Sequence, residues 1–201
     1  MISARRHLGA ATPRRLGPAV RIRFESDAQP VLRARGDLTL RAWRDDDVPA
    51  VRAAYQDPAI QHWHVRRLDS DEATHRLVTD WHDLWPTGDG AGWAVVDGND
   101  QLLGRVGLGA FDLFRGAADV VYWTVPAARG RHVAPHAAKA AAQWALSVGF
   151  QRLELRHSTA NSASCTVAAR AGFAGERVHR SALRHADGWH DMHAHALVAV
   201  R

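Results

Sequence analysis

The order of strand-like and helix-like segments in this chain predicts an α/β (α+β) fold, a single domain built on a mixed sheet. Three observations carry that prediction. From Leu38 onward, stretches with a two-residue apolar period alternate with stretches whose apolar residues recur every three or four positions. Residues 119–125 are nearly continuous in apolar side chains, as a central strand covered on both faces requires. Two tight-turn signatures, Asp97-Gly98-Asn99-Asp100 and Asp187-Gly188, separate strand-like runs.

The elements follow in order. Residues 38–43 alternate apolar and polar and form a strand. Asp45-Asp46-Asp47 then opens a helix with Val48, Val51 and Tyr55 on one face, acids at that end favouring the helix dipole. Asp69 with Glu72 has the spacing of a capping box for a second helix whose inner face is Leu77, Val78, Trp81 and Leu84. Residues 93–96 and 102–111 make a hairpin, and 119–125 a further strand that ends at Pro126. An alanine-rich helix starts at Pro135 and stops near Gly149, with proline and glycine at the ends that favour them. Leu153 and Leu155 mark another strand, Asn161 caps a helix closed by Gly172, and 176–183 with 191–200 form the last antiparallel pair. The order is β-α-α-β-β-β-α-β-α-β-β.

The chemistry concentrates in Val125-Pro126-Ala127-Ala128-Arg129-Gly130-Arg131-His132-Val133-Ala134, which joins the central strand to a helix. A strand, a small-residue loop and a helix N-terminus direct free amides and a positive dipole end at one point, which suits an anion. Arg129 and Arg131 add charge there. The spacing fits neither the P-loop nor the dinucleotide glycine pattern.

Several short motifs, at matching separations, resemble one family. Tyr122-Trp123-Thr124-Val125-Pro126 through Arg129-Gly130-Arg131-His132-Val133-Ala134 is similar to the acyl-CoA motif of the GNAT N-acetyltransferases, in particular their ribosomal-protein N-terminal acetyltransferase (RimJ/RimL) branch. Asn161-Ser162-Ala163-Ser164 leading to Ala171-Gly172-Phe173 resembles that branch's second element, and Leu38-Thr39-Leu40-Arg41 and Trp189-His190-Asp191 its opening and closing ones. The resemblance spans roughly residues 31–200 and implies a GNAT-like domain with a mostly antiparallel central sheet flanked by helices. It further implies acetyl-CoA as cosubstrate and direct acetyl transfer to a primary amine, on a protein N-terminus or a small molecule. One departure stands in the loop: His132 replaces the family's second glycine, and tolerance is expected because a histidine still supplies its backbone N–H.

The resemblance also distributes roles. The backbone of Trp123, Thr124 and Val125 would meet the thioester and pantetheine, the stretch from Arg129 through Gly130, Arg131, His132 and Val133 to Ala134 the pyrophosphate, and Asn161 and Ser164 the cofactor. The tyrosine that many members place in the helix before Gly172-Phe173 is absent, with Ala168 in its stead, so Ser164 becomes the candidate proton donor to the thiolate. Asp119 stands where the branch often has an acid and is the candidate base. The loop from Asp57 to His64 and the final hairpin would wall the amine site, with Trp63, His64, Trp85, Asp191 and His195 as acceptor contacts. Asp191, His193 and His195 share a strand face with metal-like spacing, yet lining the acceptor cavity is the preferred role, so no metal is expected. Cys165, the single cysteine, is expected to be a packed thiol.

Charge and composition bound the rest. With 201 residues, 46% hydrophobic and 23% charged, the chain is neither disordered nor collagen-like. No apolar run reaches the roughly 18 residues of a membrane span. The net +5 would suit nucleic acid, but residues 1–36 hold eight arginines against Glu25 and Asp27, an excess of six that leaves the remainder at −1. Residues 1–30 are therefore expected to be a basic, flexible arm ahead of a 31–201 catalytic domain, with nucleic acid an unlikely partner. A CoA-fold regulatory or nucleic-acid-associated module, with His132 blocking the cofactor, is the alternative. One lysine, Lys139, amid abundant alanine and arginine suggests a bacterial origin and the lone cysteine a cytoplasmic location; a monomer or homodimer is expected.

Overall fold

The alternating segments assemble, in the computed structural model, into one eight-stranded sheet with helices on both faces. The structure describes residues 19, 20, 22, 24 and 27–200. In chain order the elements are β1 (Leu32–Ala34), β2 (Leu38–Ala42), α1 (Val48–Ala54), α2 (Pro58–His64), α3 (Asp71–Thr87), β3 (Ala91–Val96), β4 (Leu102–Asp112) and β5 (Ala117–Thr124). They continue with α4 (Val133–Ser147), β6 (Arg152–Ser158), α5 (Ser162–Ala171), β7 (Ala174–His185) and β8 (Gly188–Val198). The strand order is β1-β2-β3-β4-β5-β6-β8-β7, antiparallel at every step except the parallel β5–β6 pair.

Alternation sends successive side chains to opposite faces, so each inner strand feeds two cores. On β3, Trp93 and Val95 join Leu40, Val106, Val120, Leu153 and Leu155 beneath α4 and α5. Ala94 and Val96 join Trp43, Val51, Tyr55, Trp81 and Trp123 beneath α1 and α3. Helix α4 presents Ala137, Ala138, Ala141, Ala142 and Ala145, all almost fully buried. Methyl side chains cost little helix entropy and let the helix lie close to the sheet.

Four details differ from the expectation. The Asp57–His64 segment, expected as a loop, is helix α2; the Asp57 carboxylate accepts from the Ile60 amide at 2.9 Å and Pro58 opens the first turn. Strand β1 is three residues long and too short to announce itself by periodicity. Ser70, not Asp69, caps α3, its hydroxyl accepting from the Ala73 amide at 3.1 Å. The last hairpin turns at residues 186 and 187, between the paired His185 and Gly188.

The expected arm also divides. Residues 1–18 lie outside the described residues, whereas Val20 and Phe24 are buried in the core. The Trp85 indole donates to the Asp27 carbonyl at 2.7 Å and the Trp93 indole to the Pro30 carbonyl at 2.8 Å. Buried indole N–H groups need acceptors, and this segment supplies them. Trp85, expected as an acceptor contact, is thereby corrected to a core residue: its ring meets Phe24 edge-on at 5.0 Å and Trp144 at 5.8 Å.

A buried ion pair fixes the opening strand. Asp47 Oδ1 and Arg41 Nη2 are 2.8 Å apart with side chains 7% and 8% exposed, and Asp47 also accepts from the Arg44 amide at 2.9 Å. Arg41 Nε reaches Asp100 in the β3–β4 turn at 2.7 Å. Replacing Asp47 leaves the buried Arg41 with only the half-exposed Asp100 as counter-charge and its inner two N–H groups without a carboxylate. Asp47→Ala should lower stability in urea unfolding by about 3 kcal/mol or more; a loss below about 1 kcal/mol would rank the pair with surface bridges.

Candidate functional site

Strands β5 and β6 pair for only three residues, Ala117 with Arg152, Ala118 with Leu153 and Asp119 with Glu154. Beyond them β5 follows β4 and β6 follows β8, so the two strands part. The gap opens into a cavity of about 480 Å³ walled by α2, the end of β5, the following loop, the start of α4 and α5.

Backbone groups line it. The Val125 amide is used up, donating to the Leu103 carbonyl on β4 at 2.9 Å. Because strand groups alternate in direction, Trp123 also turns its amide toward β4, while Tyr122 and Thr124 turn theirs toward the gap. Of the three amides expected at the thioester, only that of Thr124 therefore faces the cavity, and Tyr122 joins it. Val133 and Ala134 open α4 and lack an intrahelical acceptor, so their amides also point to the cavity end. Gly130 and His132 both have positive φ, +78° and +58°. The position where the resemblance expects a second glycine is thus a left-handed one in this chain. His132 adopts that conformation at a cost of about 1 kcal/mol. Its ring lines the cavity with Nδ1 accepting from Arg170 at 2.7 Å.

The arginines divide their work unexpectedly. Arg129 pairs with Asp57 at 2.6 Å, the same carboxylate that caps α2, and so straps the loop to that helix. Its guanidinium holds the Asp57 carboxyl below the ordinary carboxylate range. Arg131 is exposed and is not among the wall residues. Arg170, on the last turns of α5, is on the wall instead, a cation that the motif did not mark.

At the inner end, Tyr122 Oη lies 2.6 Å from Ser164 Oγ. The Asn161 side chain accepts from the Ser164 amide at 3.0 Å, fixing Ser164 on the first turn of α5. Burial pushes the Tyr122 phenol up to about 12, Ser164 opposing the shift, so it stays protonated. Ala168 is fully buried, and the phenol beside Ser164 comes from Tyr122 on β5. The signal in the sequence was one polar ring inside an apolar central strand. His64 joins from α2: burial, reinforced by the nearby Arg105 charge and opposed by the Tyr122 backbone, pushes it down to about 4. It is a neutral imidazole at physiological pH. Arg105 is itself buried, stacked 4.4 Å over the Trp81 ring.

Ser164, Thr124, Trp123, Arg129, Gly130, His132, Val133, Ala134, Asn161, Trp63 and His64 all line the cavity. Other expected residues do not. Asp119 lies where β5 and β6 are still joined, ion-paired to Arg156 and about 10 Å along the strand from Tyr122. Asp191 accepts from the Ser181 amide at 2.8 Å, and His195 is buried against His157. Neither is on the wall, because the β7–β8 pairing turns them to other neighbours. The final hairpin meets α2 through His185, which donates to the His62 carbonyl at 3.0 Å.

A match to the acetyltransferase (GNAT) domain family covers residues 37–174. Solved structures share the fold. RimL, a ribosomal alpha-N-protein acetyltransferase in complex with coenzyme A, superposes with a TM-score of 0.74 at 22% identity, over 84% of this chain and 98% of its own. A probable GNAT-family acetyltransferase from Chromobacterium violaceum gives 0.75 at 20% identity, covering 98% and 97%. The microcin self-immunity acetyltransferase MccE, in complex with acetyl-CoA and AMP, gives 0.74 at 15% identity, covering 82% and 94%. No curated protein matches the sequence.

The buried imidazole has a consequence for acid stability. An unfolded histidine takes its proton near 6.5, whereas native His64 refuses it down to about 4. In that window the unfolded chain binds more protons, so stability is full above about 6.5 and falls as pH drops toward 4. His157 and His195 are lowered in the same direction by burial. Urea midpoints measured at pH 7 and pH 5 should differ less in His64→Gln than in the native chain; an unchanged difference would show that His64 is not the group responsible.

Proposed function

Since the chain belongs to the GNAT family of acetyltransferases, which transfer acetyl from acetyl-CoA to an amine, we propose that this cavity binds acetyl-CoA and a primary amine together and transfers the acetyl group directly. The observation that carries the assignment is the convergence, in one cavity, of free strand and helix amides with the Tyr122–Ser164 hydroxyl pair. Gly130 supports the fit, since a Cβ built there meets nothing within 4 Å, leaving the loop open to a phosphate. His132, the basis of the non-catalytic alternative, is tied to Arg170, and that alternative finds no support.

When bound, acetyl-CoA supplies an activated thioester. The amides of Val133 and Ala134, the α4 dipole and Arg170 hold the pyrophosphate. The Thr124 amide, unpaired by any β6 neighbour, donates to the thioester carbonyl and stabilises negative charge that develops on its oxygen. His64, uncharged, accepts a hydrogen bond from the neutral acceptor amine, takes the proton that the nitrogen sheds as the amide forms and passes it to solvent. Ser164, backed by the Tyr122 hydroxyl, gives its proton to the departing sulfur and is reprotonated from Tyr122 and solvent.

The acceptor is proposed to be an exposed primary amine, either the N-terminus of a protein, as the RimJ/RimL-like motifs suggest, or a small-molecule amine. Trp63 beside His64 offers an aromatic face for it. We place the enzyme in a bacterial cytoplasm, as a monomer or homodimer, with no metal in the transfer step. No helix among the described residues is long and apolar enough to cross a membrane.

Release of free thiol from acetyl-CoA, measured across N-terminal peptides, aminoglycosides and simple amines, tests the assignment; silence across the panel, with no thermal shift on adding CoA, would overturn it. Ser164→Ala should reduce kcat by about 100-fold with acetyl-CoA affinity nearly kept, and Tyr122→Phe by a smaller factor. Asn161→Ala should remove an N-cap that contributes about 1 kcal/mol and weaken acetyl-CoA binding; unchanged affinity in calorimetry would count against Asn161 as a cofactor contact.

A further inference from the structure

On the side of α5 away from the cavity wall, three imidazoles and the chain's single thiol converge. His157 on β6 and His193 on β8 are register partners, and His195 lies two residues further along β8. Cys165 comes down from α5. One donor atom from each of the four residues lies within 4.8 Å of all the others. His157 Nε2 is 3.1 Å from His195 Nε2, and Cys165 Sγ is 3.8 Å from the same nitrogen. In a tetrahedral zinc site, bonds of about 2.0 Å to nitrogen and 2.3 Å to sulfur separate the donors by about 3.3 to 3.5 Å.

Their protonation is arranged for a cation. His157 Nδ1 donates to the Ser158 carbonyl at 2.8 Å, which leaves Nε2 with its lone pair toward the cluster. That outer contact is the kind which orients metal-bound histidines. His157 and His195 are 6% and 4% exposed, so their ring nitrogens depend on partners within the protein. As a bare pair they are poorly satisfied. If His195 Nε2 donates to His157, its Nδ1 becomes a buried acceptor with no donor, and no partner of good geometry reaches that atom. A cation between the two Nε2 atoms instead uses both lone pairs and frees His195 from having to donate to His157. Gly175 keeps room for this, since a Cβ there would come within 3.1 Å of His193 Nε2. Asp191, which strand spacing alone would have enlisted, takes the Ser181 amide instead.

We propose that His157, Cys165, His193 and His195 form a tetrahedral site for a divalent metal of the zinc class, replacing the expectation of a metal-free protein. One thiolate and three imidazoles are a borderline-soft set that suits zinc over calcium or magnesium. Four protein ligands close the coordination sphere, so the site is structural. Binding replaces the Cys165 S–H bond by a metal–sulfur bond and releases that proton to solvent. The ion ties α5 to β6 and β8 one residue from Ser164, and so holds the helix that positions the cavity's serine.

Tag-free full-length protein, stripped with chelator and titrated with cobalt(II), tests this. The expected result is one equivalent bound, with the visible bands of tetrahedral cobalt and a near-ultraviolet thiolate-to-cobalt charge-transfer band, both bleached by zinc. Cys165→Ser should abolish the charge-transfer band and weaken cobalt binding at least tenfold with the far-ultraviolet dichroism of the stripped protein kept. His193→Ala, at a half-buried position, should weaken binding similarly. Asp187→Asn, in the separate His62, Asp187 and His190 group, should leave the titration unchanged. Absence of the charge-transfer band, or a stoichiometry that survives Cys165→Ser but is lost in Asp187→Asn, would overturn the proposal.

Discussion

The parting of β5 from β6 after three residue pairs is the constraint on which the rest of the molecule depends. Each strand is held on its outer side by an antiparallel partner, β4 for one and β8 for the other, and the α4 crossover joins them as a parallel pair. Parallel strands require such a crossover, and its N-terminus necessarily opens at the end where the strands diverge. The split leaves backbone groups of Tyr122 and Thr124 without a strand partner. Unpaired backbone groups are costly when buried, so a chain retains them where a ligand or solvent can pair them. Cavity, free amides and helix dipole are therefore one consequence of one strand geometry.

The charges around the cavity are consistent with that geometry. Asp57 is neutralised by Arg129, and Asp119 by Arg156 away from the wall. Arg170 and the α4 dipole remain to meet an anion. The groups able to exchange protons, His64, Tyr122 and Ser164, are all neutral at physiological pH, two of them because burial opposes their charged forms. A cationic end beside a neutral interior is the charge pattern that the proposed polyanionic cosubstrate and neutral amine require.

Much of this was legible in the residues, for identifiable reasons. The Asn161 cap, the Gly172 stop and the glycine–arginine loop are local features, decided within a few residues, and the structure contains each. The short elements α2 and β1 were not legible, since seven and three residues are too few to show a period. The expected site residues that do not line the cavity share a cause. Asp119, Trp85, Asp191 and His195 were assigned from position in a motif or strand, but their surroundings are set by chain segments 30 or more residues distant or by the twisted pairing of the last hairpin. Arg170 was missed because it reaches the cavity across a helix face from a segment that the loop motif does not include.

By itself the sequence determined the element order, the central strand, the glycine–arginine loop that opens the following helix, and the family to which these belong, because periodicity, caps and turn residues act through nearest neighbours. Only the tertiary structure decided which side chains share a space. It moved Trp85 into the core and Val20 and Phe24 with it, paired Tyr122 with Ser164 across 42 residues, and brought His157, Cys165, His193 and His195 together from three elements. Those contacts depend on strand order and register, in which a shift of one residue would turn every side chain to the opposite face.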